Sequence, residues 1–232
     1  MANDEDKPTV STAESHSQRH SHAGAHAHDH DGNGNHGRAH SHGHAHEPHD
    51  WHSGAYVDAW IKRDAARDDE RRPRIRQMIA MADLPRDAAI AALDIGAGYG
   101  FVTEEVLRAF PNAHVTLQDF SEVMLARARE RLAKAAGQLS YVQCDLTDPA
   151  WTDRVGGPFD LIVSAIAIHN LRDTEAIAAC YRGIAQLLKP AAPFLDCDHF
   201  QVAGGIESHI ALMQWAGMTR VEREWDDGHS AM

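Results

Sequence analysis

Ten residues constrain this chain more than any others. Ala91-Ala92-Leu93-Asp94-Ile95-Gly96-Ala97-Gly98-Tyr99-Gly100 carries an apolar strand straight into a glycine-rich turn, and helix-forming sequence begins at Phe101. Glycine tolerates positive φ and lets a ligand approach the backbone. A strand–turn–helix of this kind is half of a βαβ unit and calls for a parallel neighbour strand. The glycines fall at Gly96, Gly98 and Gly100, whereas the dinucleotide fingerprint needs a third glycine where Phe101 stands. A pyrophosphate is therefore not the expected guest, and a nicotinamide-dependent oxidoreductase is disfavoured. Asp94, just before the turn, would repel phosphate and attract a cationic amino acid moiety.

The same pattern repeats downstream. Strand-like runs at Ala91–Ile95, His114–Gln118, Leu139–Gln143, Phe159–Ile166 and Pro193–Asp196 alternate with helical stretches at Phe101–Phe110, Ser121–Ala135 and Thr174–Leu188. Upstream, Tyr56–Arg71 and Arg74–Met81 read as helices broken near Pro73. The alternation predicts a three-layer α/β domain, a mostly parallel sheet with helices on both faces. Ligands bind such sheets at the carboxyl ends of the strands. Two further strands end there in acids. Val115-Thr116-Leu117-Gln118-Asp119 places a carboxylate where it could accept both hydroxyls of a ribose, and Tyr141-Val142-Gln143-Cys144-Asp145-Leu146 places one within reach of an adenine amine.

Taken together, LDIGAGYG, LQDFSEVMLARARERL, VQCDLTD, FDLIVSAIAIHNL and IAQLLKP resemble the class I, Rossmann-like S-adenosylmethionine-dependent methyltransferases in order and spacing. The resemblance runs from about Trp51 to the C-terminus. It implies seven strands, the last antiparallel, and S-adenosylmethionine as cofactor. Gly96, Ala97, Gly98 and Gly100 would wrap its methionyl part, with Asp94 beside them. Asp119 would hold the ribose. Phe120 and Met124 would pack around the adenine, and Asp145, with Leu146, would reach its amine. Ser164, His169 and Asn170 occupy the stretch that flanks the transferred methyl in relatives. The chain departs from the pattern after Gly217, where only 15 residues remain, so the last strand should be short.

Methyl transfer depends mainly on alignment, and a base is needed only for a protonated acceptor. His169 and His199 are the candidates; each also reads as a structural loop histidine. Trp51, Tyr56 and Trp60 precede the first strand, where a lid helix could shield the sulfonium, with Tyr56 counted as a cofactor contact. The acceptor class expected is a small molecule.

Residues 1–50 differ from the rest. They are Ser, Ala, Gly, Asp, Asn and His, too poor in apolar side chains to offset the entropy of ordering. Thirteen histidines lie between His16 and His52, densest at His26, His28, His30 and at His40, His42, His44, His46. Imidazoles in an extended chain suit Zn, Ni or Cu, bound weakly, since no cysteine completes a closed site. A metal-binding or metal-sensing protein on a methyltransferase-like scaffold is the alternative reading. The formal charge is −12 with histidine neutral, and protonating all 18 histidines would carry it to +6. That balance disfavours a nucleic-acid surface. No apolar run spans a bilayer, the opening MANDEDK is no secretory signal, and three unpaired cysteines fit a reducing compartment, so a cytoplasmic location is expected.

Overall fold

The structure, a computed structural model, describes residues 50–225 and 231–232. The histidine-rich tail, with its metal candidates from His26 to His46, lies outside the described residues. Five strands form: β1 (Ala91–Ile95), β2 (His114–Asp119), β3 (Leu139–Gln143), β4 (Leu161–Ala165) and β5 (Phe194–Cys197). They lie in the order β3-β2-β1-β4-β5, and every neighbouring pair is parallel. The chain leaves β1 toward β2 on one side and later returns to β4 on the other. The carboxyl ends of β1 and β4 thus diverge at a switch point, where a parallel sheet opens a crevice.

Both faces of the sheet are covered, which is why β1 reads as a continuous apolar run. Its pleat divides the residues. Ala92 packs in a cluster with residues of α1 (Gly54–Asp64), α2 (Asp68–Ala80), α3 (Phe101–Ala109) and α4 (Glu122–Arg131). Leu93 and Ile95 face a second cluster with α5 (Trp151–Val155), α6 (Thr174–Leu187) and α7 (Ile206–Trp215). Side-chain caps begin three of the helices: Ser53, Ser121 and Asp173 accept from the amides of Tyr56, Met124 and Ala176. Among the described residues no helix is long and apolar enough to cross a membrane.

Two expectations are corrected. The N-terminal helical region breaks at the 3-10 turn Ala65–Arg67, not at Pro73, which sits inside α2. Proline there removes the bond that an amide at position 73 would give to the carbonyl of Asp69. The seven strands implied by the resemblance are not all formed. Among the described residues the sheet has five, and the antiparallel last strand is reduced to one bridge between Asp198 and Ala231.

The two helices ahead of β1 are held to the domain by ion pairs. Glu105 of α3, almost wholly buried, accepts from Arg72, from Arg76 at 2.8 Å and from Arg108 at 2.9 Å. Burial alone would raise its carboxyl, but the guanidiniums hold it below the usual range. Its contribution is therefore present at neutral pH and disappears as pH falls below the ordinary carboxylate value of 4.5. Glu105→Ala should lower stability by about 1–3 kcal/mol. In a thermal melt that is about 2–4 °C for each kcal/mol in a domain of this size, with the difference from wild type shrinking below pH 4.5.

Candidate functional site

The glycine turn after β1 is held from beneath by side chains of β2. Gly96 N–H donates to Gln118 Oε1 at 3.0 Å, and Gly98 N–H donates to Asp119 Oδ2 at 2.9 Å. Ala97 N–H donates to the Gln118 carbonyl at 2.9 Å. All three glycines have positive φ: 62° at Gly96, 53° at Gly98 and 81° at Gly100. They differ in what surrounds them. A Cβ on Gly96 would stand 2.3 Å from the Ala167 Cβ, and one on Gly100 would stand 2.8 Å from Leu132. A Cβ on Gly98 would meet nothing within 4 Å. Gly96 and Gly100 are therefore needed for packing, while Gly98 fronts open space over the turn.

Asp94 lies under this turn, 1% exposed. One carboxylate oxygen accepts from the Thr103 hydroxyl at 2.6 Å. The other, Oδ1, has no partner among the described residues. Burial pushes its carboxyl up to about 7, with the nearby Asp119 charge adding to the shift and Thr103 opposing it. A buried acid with a vacant oxygen, beside a glycine with nothing over it, fits a ligand that brings a cationic amine. The methionyl group of S-adenosylmethionine meets that description.

At the end of β2, Asp119 serves the protein first. Its second oxygen accepts from Ser121 N–H at 2.8 Å, so the carboxylate joins the glycine turn to the cap of α4. Lone pairs remain on both oxygens, and only these are left for ribose hydroxyls. Phe120 is 39% exposed, and the His52 ring meets it edge-on at 5.4 Å. The Ser121 hydroxyl donates to the Trp51 carbonyl, which brings the N-terminal segment over this end of the sheet. Trp51 contacts Tyr56 at 5.4 Å and Trp60 at 5.2 Å, and Trp60 reaches Tyr99 of the glycine turn at 6.1 Å. Tyr56 is thus joined to the turn through Trp51 and Trp60. Asp145 is exposed and accepts at one oxygen from both the amide and hydroxyl of Thr147; Leu146 beside it is half-buried.

Two of the expected cofactor contacts are placed elsewhere. Met124 is 3% exposed and lies in the core cluster with Leu125 and Ala128, on the inward face of α4. Ser164 is fully buried on the face of β4 that looks toward α6, in register with Asp196 of β5. Its hydroxyl and both Asp196 oxygens lack hydrogen-bond partners among the described residues. Burial, and then the charge of Asp198, pushes the Asp196 carboxyl well above its ordinary value.

Past β4 the backbone turns sharply. Ile166 adopts φ 53°, a left-handed conformation rare for a β-branched residue. This turn delivers His169. Its Nδ1 lies 2.6 Å from Asp198 Oδ1, and its backbone N–H donates to Asp198 Oδ2 at 3.0 Å. The His199 amide also donates to Asp198, at 2.7 Å, and the two imidazole rings meet at 5.1 Å. Burial would raise the Asp198 carboxyl, but the His169 ring and these amides hold it low. Both histidines singled out by sequence thus share one buried carboxylate that sequence reasoning did not assign. The signal was present in Asp196-Cys197-Asp198-His199, an acid next to the histidine at a strand end. A second missed pair is His209 and Tyr181. The Tyr181 hydroxyl donates to His209 Nδ1 at 2.7 Å and His209 Nε2 donates to the Val202 carbonyl, which secures α7 to α6. Among the described residues, no cluster of three His, Cys, Asp or Glu side chains could hold a metal ion.

Comparison with known proteins bears on the family and the fold. Residues 92–191 match the family model of a methyltransferase domain. The chain is 30% identical over 157 residues to nodulation protein S of Bradyrhizobium diazoefficiens, covering 65% of this chain and 71% of that protein. It is 31% identical over 109 residues to a malonyl-[acyl-carrier protein] O-methyltransferase of Magnetococcus marinus, covering 47% of this chain but only 38% of that protein. Its fold is similar to the crystal structure of the N-methyltransferase NodS from Bradyrhizobium japonicum in complex with S-adenosylhomocysteine. That likeness has a TM-score of 0.55 and 23% identity, covering 66% of this chain and 77% of that one.

The glycines and Asp94 give separable outcomes. Gly98→Ala should cost about 1–2 kcal/mol of stability from its left-handed backbone and abolish S-adenosylmethionine binding in calorimetry. Gly96→Ala adds the collision with Ala167 and should melt lower still. For Asp94 the folded value lies above the unfolded one, so its own contribution to the stability of the ligand-free protein falls as pH rises from about 4 toward 7. Asp94→Asn should flatten part of that slope in melts at stepped pH.

Proposed function

Because this chain belongs to the class I S-adenosylmethionine-dependent methyltransferases, we propose that it methylates a hydroxyl of a small molecule, with His169 as the base. The observation that carries the reading is the 2.6 Å contact between His169 Nδ1 and the buried Asp198. With Nδ1–H donated to a carboxylate, Nε2 is the ring nitrogen left to accept a proton. Asp198 stabilises the imidazolium that results, as a carboxylate does for any histidine base it orients.

The cofactor supplies a methyl group on a cationic sulfur, which in-line attack displaces as a neutral thioether. In this chain, Gly98 leaves room over the turn, Asp94 meets the cationic amine, and lone pairs of Asp119 meet the ribose. His169 takes the acceptor's proton as the new carbon–oxygen bond forms. The aromatic group Trp51, Tyr56 and Trp60 keeps water from this end of the sheet. An acceptor that arrives already ionised needs no base. The investment of a buried carboxylate in His169 favours one that arrives protonated. A small acceptor suits the acidic charge of −12, which opposes a polyanion.

The test uses purified full-length chain, methyl-labelled S-adenosylmethionine and panels of phenols, aliphatic alcohols, amines and carboxylates. Transfer to a hydroxyl is expected. His169→Ala should lower kcat by about 10²–10⁴-fold with cofactor affinity unchanged, and Asp198→Asn should lower it in the same direction. Labelled carboxylates only, with His169→Ala fully active, would overturn the proposal.

A further inference from the structure

Methyl transfer as described makes no use of His209, which is 1% exposed in the first turns of α7. A buried imidazole costs free energy unless both ring nitrogens are bonded. Here both are. A carbonyl can only accept, so the 2.7 Å contact with the Val202 oxygen places the ring proton on Nε2. Burial holds the imidazole below its usual value of 6.5. At neutral pH the ring therefore keeps that one proton, and Nδ1 accepts from the Tyr181 hydroxyl at 2.7 Å. Tyr181 is itself fully buried in α6, so the ring is fixed from the core side.

On its other side the chain from Phe200 to Gly205 winds around this ring. The Phe200 ring meets the imidazole edge-on at 4.9 Å, and the Gly205 carbonyl accepts the His209 amide at 3.2 Å. The neighbouring Ser208 hydroxyl donates to the Gly204 carbonyl at 3.1 Å. Three consecutive residues here have positive φ: 60° at Ala203, 93° at Gly204 and 88° at Gly205. Glycine adopts such values freely, whereas alanine does so at a cost. A non-glycine residue persists there only where its surroundings hold it. The φ of Ala203 turns against the Val202–Ala203 peptide plane, and the carbonyl of that plane is the one His209 holds. The segment also leads straight back to the site. His199 precedes Phe200; its amide donates to Asp198, and its ring lies 5.1 Å from that of His169.

We propose that His209 is a positioning residue for methyl transfer: by holding the Val202 carbonyl it sets the segment Phe200–Gly205 as the wall of the acceptor site, with His199 at its head beside His169. The proposal rests on the reading that His169 meets the acceptor. His209 acts through the wall, so its loss should change how the acceptor is held and leave the cofactor alone. The role also dictates the residue type. A donor is needed at the far end of the side chain, where Nε2 meets Val202, and an acceptor nearer the backbone, where Nδ1 meets Tyr181. Glutamine carries an amide nitrogen at the far position. Asparagine reaches only the near one, and leucine offers similar bulk with no polar atom.

The experiment compares His209→Leu, His209→Asn and His209→Gln in the full chain, with saturating S-adenosylmethionine and whichever panel member accepts the methyl group. The leucine and asparagine variants should raise the acceptor KM about tenfold or more, with kcat within about threefold. Their S-adenosylmethionine affinity should stay within about twofold, which also reports that they fold. Glutamine should restore KM to within about threefold of wild type. Deuterium exchange of the ligand-free chain gives a readout independent of the acceptor. Amides of residues 200–208 should exchange faster in the leucine and asparagine variants and at the wild-type rate with glutamine, while the glycine turn at 96–100 is unchanged. The proposal is overturned by an unchanged KM in His209→Leu, by equal behaviour of the glutamine and asparagine variants, or by faster exchange spread over the whole domain, which marks a merely structural loss. If His169→Ala proves fully active, the base assignment falls by itself, and a KM rise confined to the leucine and asparagine variants still upholds the wall.

Discussion

The carboxylate of Asp119 is the joint on which the site is assembled. One oxygen holds the Gly98 amide and the other the Ser121 amide, at 2.9 and 2.8 Å. Through Gly98 it fixes a turn whose backbone needs glycine. Through Ser121 it fixes the first turn of α4, and the Ser121 hydroxyl then collects the Trp51 carbonyl. Strand, turn, helix and N-terminal segment thus meet at one side chain 7% exposed. Hydrogen bonds to a charged acceptor are about twice as strong as neutral ones; here they oppose the cost of burying the charge without cancelling it, and the carboxyl stays above its ordinary value.

The helices ahead of β1 take part in the same assembly. The Tyr99 hydroxyl, inside the glycine turn, donates to Asp68 of α2 at 2.6 Å. Arg131 of α4 binds Asp68 and Glu104, and Arg71 binds Asp64 and Asp68. The guanidiniums of Arg71, Arg72 and Arg131 all lie within 5.6 Å of the Phe101 ring. Positive charge is gathered over an aromatic face and matched by acids from three helices, so α1 and α2 are secured to the turn from the side opposite β2.

Much of this was legible before any coordinates, for reasons that are physical. β1 and β3 have the bounds read from the sequence, Ala91–Ile95 and Leu139–Gln143, although β1 carries the buried Asp94 and β3, at the edge of the sheet, carries Ser140 and Gln143. The glycines announced a turn because no other residue sits at those φ values without strain. What escaped reading depends on pairings that sequence spacing does not carry. Asp198 meets His169 across 29 positions, and Tyr99 meets Asp68 across 31. Met124 was expected over the adenine but points inward, since a cap hydrogen bond at Ser121 sets the rotation of α4. Pro73 was read as a break because proline disrupts helix interiors, yet α2 runs through it from Asp68 to Ala80. The shortness of the last strand was expected; that it pairs Ala231 with Asp198 could be seen only in the fold.

Ile166 bears a consequence for the thermodynamic ledger of the unfolded chain. Its left-handed backbone precedes the turn that carries His169. Replacing it with glycine would relieve about 1–2 kcal/mol of strain, but would also enlarge the ensemble from which the chain must fold by up to about 1 kcal/mol. The second change offsets part of the first, so the melting temperature understates the strain that the residue carries. Isoleucine at that position narrows the unfolded ensemble yet disfavours the native φ, so the order of the segment is owed to its contacts, the Ile166 amide on the Cys197 carbonyl and His169 on Asp198.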